Sequence, residues 1–142
     1  MKKQYIFFTL ILTIVLIAGV SMAVCASSTD SVSGLNISDN YESALKEAKA
    51  SNKTVMIIFD QDSCSYCDKF KQDTLSNSQV QEKINSSFIP VVVDVNKDYD
   101  LASKYKVFGT PSVVFSDSNG KEIHRIGGYV GANDFLEEIK GI

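Results

Sequence analysis

The sequence predicts an α/β fold, a central mixed β-sheet with helices on both faces. Three observations carry this. Helical and strand patterns follow one another as α, β, α, β, α, β, β, α, and right-handed crossovers between the early strands lay them side by side in one sheet. Val55-Met56-Ile57-Ile58-Phe59 is apolar without a break, the pattern of a strand covered on both faces. The last two strands are joined through Asp117-Ser118-Asn119-Gly120, a strong hairpin turn.

Along the 142 residues, Lys2-Lys3 precede an apolar run from Tyr5 to about Ala26. A positive flank followed by close to the ~20 residues that cross a bilayer marks residues 1–26 as a signal peptide or an N-terminal membrane anchor. Val24 and Ala26 occupy the small-residue positions for cleavage after Ala26, yet the run is long for a cleaved signal. Lipidation at Cys25 is a third outcome, and Val24 directly before it fits that pattern poorly. All three place the rest of the chain outside the cytoplasmic membrane. Residues 27–37, rich in Ser and Thr and without periodicity, read as a tether, and 38–142 as the folded domain.

Within that domain Ser38-Asp39-Asn40 offers an N-cap to a helix whose stripe is Tyr41, Ala44, Leu45 and Ala48. The Val55–Phe59 strand follows. A helix from about Cys64 to Leu75 comes next, and Ser76-Asn77-Ser78 caps a second piece with Val80 and Ile84 inward. Phe88 to Val95 is a strand, in which Pro90 argues against a central position. Tyr99, Leu101, Ala102 and Tyr105 suit a short helix. Pro111–Phe115 and Lys121–Ile126 form the hairpin, and Phe135, Leu136 and Ile139 a closing helix. Tyr41, Tyr99, Tyr105 and Phe135 are expected in the core.

Net charge is −3; without Lys2 and Lys3 the remainder carries 12 bases against 17 acids. That mildly acidic balance argues against nucleic acid as a partner. Roughly 110 residues remain after the apolar segment, enough to bury about two-thirds of the unfolded surface without staples or metal. Of three cysteines, Cys64 and Cys67 alone fall in the folded part, and one tight pair suggests reactivity rather than bracing. A permanent disulfide closing four residues would constrain the unfolded chain little.

Cys64-Ser65-Tyr66-Cys67 lies on the turn from strand to helix, an arrangement for thiol–disulfide exchange. The first thiol sits at the helix entrance, where unpaired N–H groups and the positive dipole end favour thiolate. The second lies one turn on, within reach to resolve a mixed disulfide. Cys64 is thus the expected nucleophile, partly exposed, and Cys67 the resolving thiol. Asp62 and Asp68 flank the pair and oppose the thiolate. For zinc, the ligands are too few: the pair plus His124, which reads as a solvent-facing strand residue. A copper carrier could use the pair alone, so that reading stays open.

The pair after the first clear strand is followed in order by Asp94-Val95, Gly109-Thr110-Pro111, Asn119-Gly120-Lys121 and Gly127-Gly128-Tyr129. In this the chain resembles the thioredoxin superfamily over about Tyr41 to Ile139, above all extracytoplasmic thioredoxin-like members with a Cys-x-Tyr-Cys and a Gly-Thr-Pro. The resemblance implies a cis bond before Pro111. It also implies that the Pro111 loop lies against the cysteine pair and that the Thr110 backbone binds an extended substrate segment. Tyr66 either touches substrate, packs over the disulfide, or is a half-exposed helix residue. Departures from the pattern bear on redox poise. Ser63 stands where thioredoxins have Trp, Ser65-Tyr66 where they have Gly-Pro, and Asp68 where a basic residue often follows. Ile58 replaces the buried aspartate that relays a proton to the second cysteine.

The expected function is that of an extracytoplasmic thiol–disulfide oxidoreductase, secreted or membrane-anchored. Its expected partners are cysteine-containing exported proteins and a redox partner protein such as a membrane electron relay. No organic cofactor is implied, no resident metal is assigned, and a monomer is expected. The rival classes are a metal (copper) chaperone and a non-catalytic binding module.

Overall fold

The computed structural model describes residues 32–142; the expected signal or anchor segment, Cys25 and the start of the tether lie outside the described residues. Helix α1, Tyr41–Ser51, begins at the anticipated cap, where Asn40 Oδ1 accepts the Ser43 N–H at 2.9 Å. Asn52 closes it at a left-handed φ of 53°, which asparagine tolerates better than most residues. Strand β1, Thr54–Asp60, is buried from Val55 onward. It is central, parallel to β2 (Phe88–Asp94) on one side and antiparallel to β3 (Ser112–Ser116) on the other. β3 pairs antiparallel with β4 (Glu122–Gly127), giving the order β2-β1-β3-β4. Pro90 therefore lies on an edge strand, where its missing N–H interrupts no inner ladder. Its carbonyl accepts the Ser38 N–H at 2.8 Å.

Helix α2, Ser65–Lys69, runs into a π-helical turn, Phe70–Leu75. Asn77 then caps α3, Ser78–Ser87, by accepting the N–H groups of Gln79 and Val80. The short α4, Tyr99–Lys104, is capped by Asp98, and α5, Ala132–Glu138, ends the fold. Alternation along β1 divides the core. Val55, Ile57 and Phe59 face Tyr41, Ala44 and Ala48 of α1 and Leu101 and Ala102 of α4. Met56 and Ile58 face Phe70, Leu75, Val80, Ile84, Phe135 and Ile139 on the opposite side. Helices thus cover both faces of a mixed sheet, as predicted.

Three local expectations are corrected. Tyr99 is 74 % exposed and not core, because it opens a six-residue helix whose inward positions are Leu101 and Ala102. His124 is half-buried, not solvent-facing: it shares the face of Ile126 and rests 5.9 Å from the Phe115 ring, with Nε2 3.5 Å from Glu138. The helix after Cys67 changes register at Phe70. Residues 32–37, read as tether, lie along α3. Gln81 Nε2 donates to the Ser33 carbonyl, Asn85 Nδ2 to that of Gly34, and Val32 and Leu35 pack on the core. Among the described residues no helix is long and apolar enough to cross a membrane.

Candidate active site

β1 delivers the chain to the site, and Ser63, with φ 63°, turns it sharply. A serine in this left-handed region is uncommon and strained, a condition that recurs at functional turns. Cys64 follows as the N-cap of α2, in extended conformation, and its Sγ accepts the Cys67 N–H at 3.1 Å. The first thiol therefore stands at the helix entrance, and the donors that would stabilise its thiolate belong to its own helix. Cys64 and Cys67 are joined in a disulfide, with Cα atoms 5.2 Å apart. Cys64 keeps 9 % of its surface and Cys67 2 %. The outer sulfur is thus the reachable one, though more enclosed than the sequence suggested.

The Thr110–Pro111 peptide is cis, and its loop lies against the pair, with Thr110 Oγ1 3.5 Å from Cys64 Sγ. Gly128 N–H donates to the Pro111 carbonyl at 2.8 Å and so ties this loop to the end of β4; the glycine is needed there for its φ of 80°, since a Cβ at Gly127 or Gly128 would meet nothing within 4 Å. Tyr66 is 64 % exposed beside the pair. Next to Thr110 opens a trough of about 580 Å³ lined by Tyr99, Ala102, Val107 and Phe108, and Phe108 is 96 % exposed. The structure thus brings together Cys64, Cys67, Thr110 and Pro111, with Tyr66 at their margin. His124 is not brought to them: it pairs with Phe115, towards the other end of β3 from Pro111.

One group beside the sulfurs escaped the sequence reading. Asp60 is only 6 % exposed, and one carboxylate oxygen and the two Sγ atoms lie within 4.8 Å of one another. Its Oδ1 accepts the Gln61 N–H at 2.8 Å, and Oδ2 forms an ion pair with Lys71 from the π-helical turn. The family resemblance places an acid at position 58, where Ile58 stands. Strand periodicity carried the missed signal, since residues 58 and 60 project to the same face. Asp62 and Asp68, the acids it did name, are both exposed, so solvent and salt weaken their hold on the thiolate. As for a metal, three soft and hard donors converge here. In this oxidised state the sulfurs are bonded to each other and Lys71 occupies the carboxylate.

Comparisons with known proteins agree with this geometry. The family model described as a thioredoxin-like domain matches residues 41–141. The thiol:disulfide interchange protein DsbD of Vibrio cholerae is 34 % identical over 110 residues, covering 73 % of this chain and 18 % of that protein. This chain therefore spans less than a fifth of the length of that relative. A thioredoxin from Thermus thermophilus is 30 % identical with a TM-score of 0.65, covering 71 % of this chain and 82 % of that one. The DsbH oxidoreductase is 25 % identical with a TM-score of 0.67, covering 82 % and 90 %. A mixed sheet flanked by helices, a disulfide-forming pair at a helix entrance of the kind thiol–disulfide oxidoreductases carry, and a family match over most of its length make this chain a member of the thioredoxin-like family.

Proposed function

We propose that the protein is an extracytoplasmic thiol–disulfide oxidoreductase that exchanges disulfides of exported proteins through Cys64 and Cys67. The observation that carries this is the pair itself: two sulfurs bonded at the cap of α2, the outer one reachable and faced by the cis Thr110–Pro111 loop. In the reducing direction, the Cys64 thiolate attacks a substrate disulfide and one substrate thiolate departs. Cys67 then attacks Cys64 Sγ, releasing the second substrate thiol and leaving the Cys64–Cys67 disulfide. The oxidase direction is the reverse. The Thr110 backbone and Pro111 would hold an extended substrate segment, with Tyr66 and the trough beside Thr110 meeting its side chains.

Two electrons must then come from, or go to, another protein dithiol or disulfide. A relative named for thiol:disulfide interchange supports that relationship. The basic and apolar residues 1–26 support export or anchoring. A second reading, a copper carrier, rests on the two sulfurs alone, since thiolates select soft metals and the Asp60 carboxylate beside them is a hard donor already held by Lys71.

The deciding experiment is redox titration of the pair in a thiol/disulfide buffer, with turnover on a model disulfide protein. We expect a reversible two-electron couple, loss of turnover in Cys64→Ser, and trapped mixed disulfides in Cys67→Ser. A potential at the reducing end identifies a reductase and a strongly oxidising one an oxidase. Stoichiometric Cu(I) uptake without turnover would establish the carrier instead. If the sulfurs resist both reductant and alkylation in the native chain, the exchange reading is wrong.

A further inference from the structure

We propose that Tyr129, through its hydroxyl bond to Asp73, is a positioning residue that holds the Pro111 loop at working distance from the sulfur-bearing helix while an extended substrate segment lies between them. The inference rests on the exchange reading above and deepens it, by naming what fixes the width of the substrate cleft.

Three residues, 128–130, lie between the end of β4 at Gly127 and Gly131, the N-cap of α5. Each bonds to one wall of the site. Gly128 N–H reaches the loop, donating to the Pro111 carbonyl at 2.8 Å. Tyr129 reaches the helix: its hydroxyl donates to Asp73 Oδ2 at 3.1 Å, and its ring lies 4.9 Å from Lys69 Nζ. Lys69 stands two residues after Cys67 and forms an ion pair with Asp73 in the π-helical turn. The Val130 carbonyl then accepts the hydroxyl of the buried Thr74 at 2.6 Å. Gly131 O already accepts the Phe135 N–H of α5 at 2.9 Å, so the brace has little slack at either end.

In the free oxidised protein the loop also touches the helix directly, Thr110 Oγ1 lying 3.5 Å from Cys64 Sγ. A substrate sulfur bonded to Cys64, with its segment laid along the Thr110 backbone, takes up that space. The brace is remote from the sulfurs and persists. Strand-like hydrogen bonds to the segment need a fixed spacing between the walls, and small errors of placement are costly to reaction. The Lys69–Asp73 pair is exposed and adds little to stability by itself. Its carboxylate, held below its ordinary pKa by Lys69 and then by Tyr129, is nonetheless a charged acceptor for a hydroxyl from another element, a stronger bond than one between neutral groups.

The test uses the full-length chain in detergent with Cys25→Ser and Cys67→Ser, so that only Cys64 reports. The Cys64 thiolate attacks a short Val- and Thr-rich peptide whose single cysteine is capped by thionitrobenzoate. The peptide–Cys64 disulfide forms, the bond to thionitrobenzoate breaks, and the coloured thiolate leaves. Ellman's reagent gives the same leaving group without a peptide. In Tyr129→Phe and in Asp73→Ala the half-saturating peptide concentration is expected to rise about 3- to 10-fold, with the rate on Ellman's reagent changing far less. The double variant should be no worse than either single one, since both remove the same bond. Asp73→Asn keeps an acceptor and should restore most of what Asp73→Ala loses. An unchanged half-saturation in Tyr129→Phe overturns the proposal. So do an equal fall on both reagents, which would place the effect on the thiolate, single effects that multiply in the double variant, and a parent that the peptide does not saturate. A parent whose Cys64 releases no thionitrobenzoate from either reagent would instead overturn the exchange reading itself.

Discussion

Thr110 presents its hydroxyl to Cys64 Sγ at 3.5 Å, a donor aimed at the atom that bears negative charge once the disulfide is reduced. Hydrogen bonding to a charged form favours that form, so this hydroxyl works with the helix entrance to hold the thiolate. Asp62 and Asp68 work against it, but from solvent-exposed positions where their field is screened. The nearer donor should win. Thr110→Val keeps the shape and removes the hydroxyl, and is expected to raise the Cys64 thiol pKa by about half a unit to one unit. The pH dependence of alkylation of the reduced protein measures this. Asp62→Asn and Asp68→Asn should each move it the other way, and by less. A shift of the opposite sign in Thr110→Val would show that the hydroxyl does not face the thiolate.

At the scale of elements, the π-helical turn Phe70–Leu75 decides how the site's helix sits on the sheet. Phe70, Thr74 and Leu75 are all buried, and the wider i→i+5 turn is what lets residues four and five positions apart share one face. Phe70 meets the Phe135 ring edge-on at 5.5 Å, and Thr74 Oγ1 donates to the Val130 carbonyl at 2.6 Å. Phe70→Ala is therefore expected to cost about 3–5 kcal/mol by loss of burial and an unfilled cavity, read as a lowered denaturant midpoint of the oxidised protein. Thr74→Val should cost about 0.5–1.5 kcal/mol by removing the donor to a part-buried carbonyl. If Phe70→Ala costs well under 2 kcal/mol, the aromatic contact is not what seats this helix.

That turn also shows where the sequence stops being readable. The span from Cys64 to Leu75 reads as helical, because Tyr66 and Phe70 are spaced four apart. Nothing local distinguishes the α from the π register, since no Gly or Pro marks the change and the choice is made by what Phe70 and Thr74 meet on α5 and the loop before it. The strands were legible for the opposite reason. Val55–Phe59 is buried on both faces, and the Asp117–Gly120 turn carries its own chemistry: Asp117 Oδ1 accepts the N–H groups of Asn119 and Lys121. At the site, Cys64 and Cys67 announce themselves by spacing. Asp60 does not, because an acid ending an apolar strand looks like the start of a solvated turn: strand periodicity puts it on the face of Ile58, but its burial comes from the packing of Lys71 against it.

At the scale of the molecule, the end of the α1–α4 core layer is closed by a pair of tyrosines rather than by aliphatic packing. Tyr41 and Tyr105 are both buried, with hydroxyls 2.6 Å apart. Tyr105 donates on to the Gly120 carbonyl at 3.0 Å, and Lys104 Nζ reaches the Tyr41 oxygen at 3.2 Å. Two helices and the hairpin turn are thereby tied together; a Cβ at Gly120 would come within 2.5 Å of the Tyr41 hydroxyl. Burial, then the bond with Tyr41, pushes the Tyr105 pKa up to about 12, and burial raises that of Tyr41. Each phenol thus holds its proton in the folded protein at a pH where the unfolded chain has lost it. Stability rises with pH only where the unfolded state binds more protons, and here it binds fewer. The contribution is whole below the ordinary phenol value of about 10 and is lost as pH climbs towards about 12. Denaturant titrations across that range should therefore show stability falling more steeply in the parent than in Tyr105→Phe, whose remaining ionisable groups are the same. Equal slopes for the two proteins would mean that this pair ionises as freely folded as unfolded, and that it does not lock the far end of the sheet.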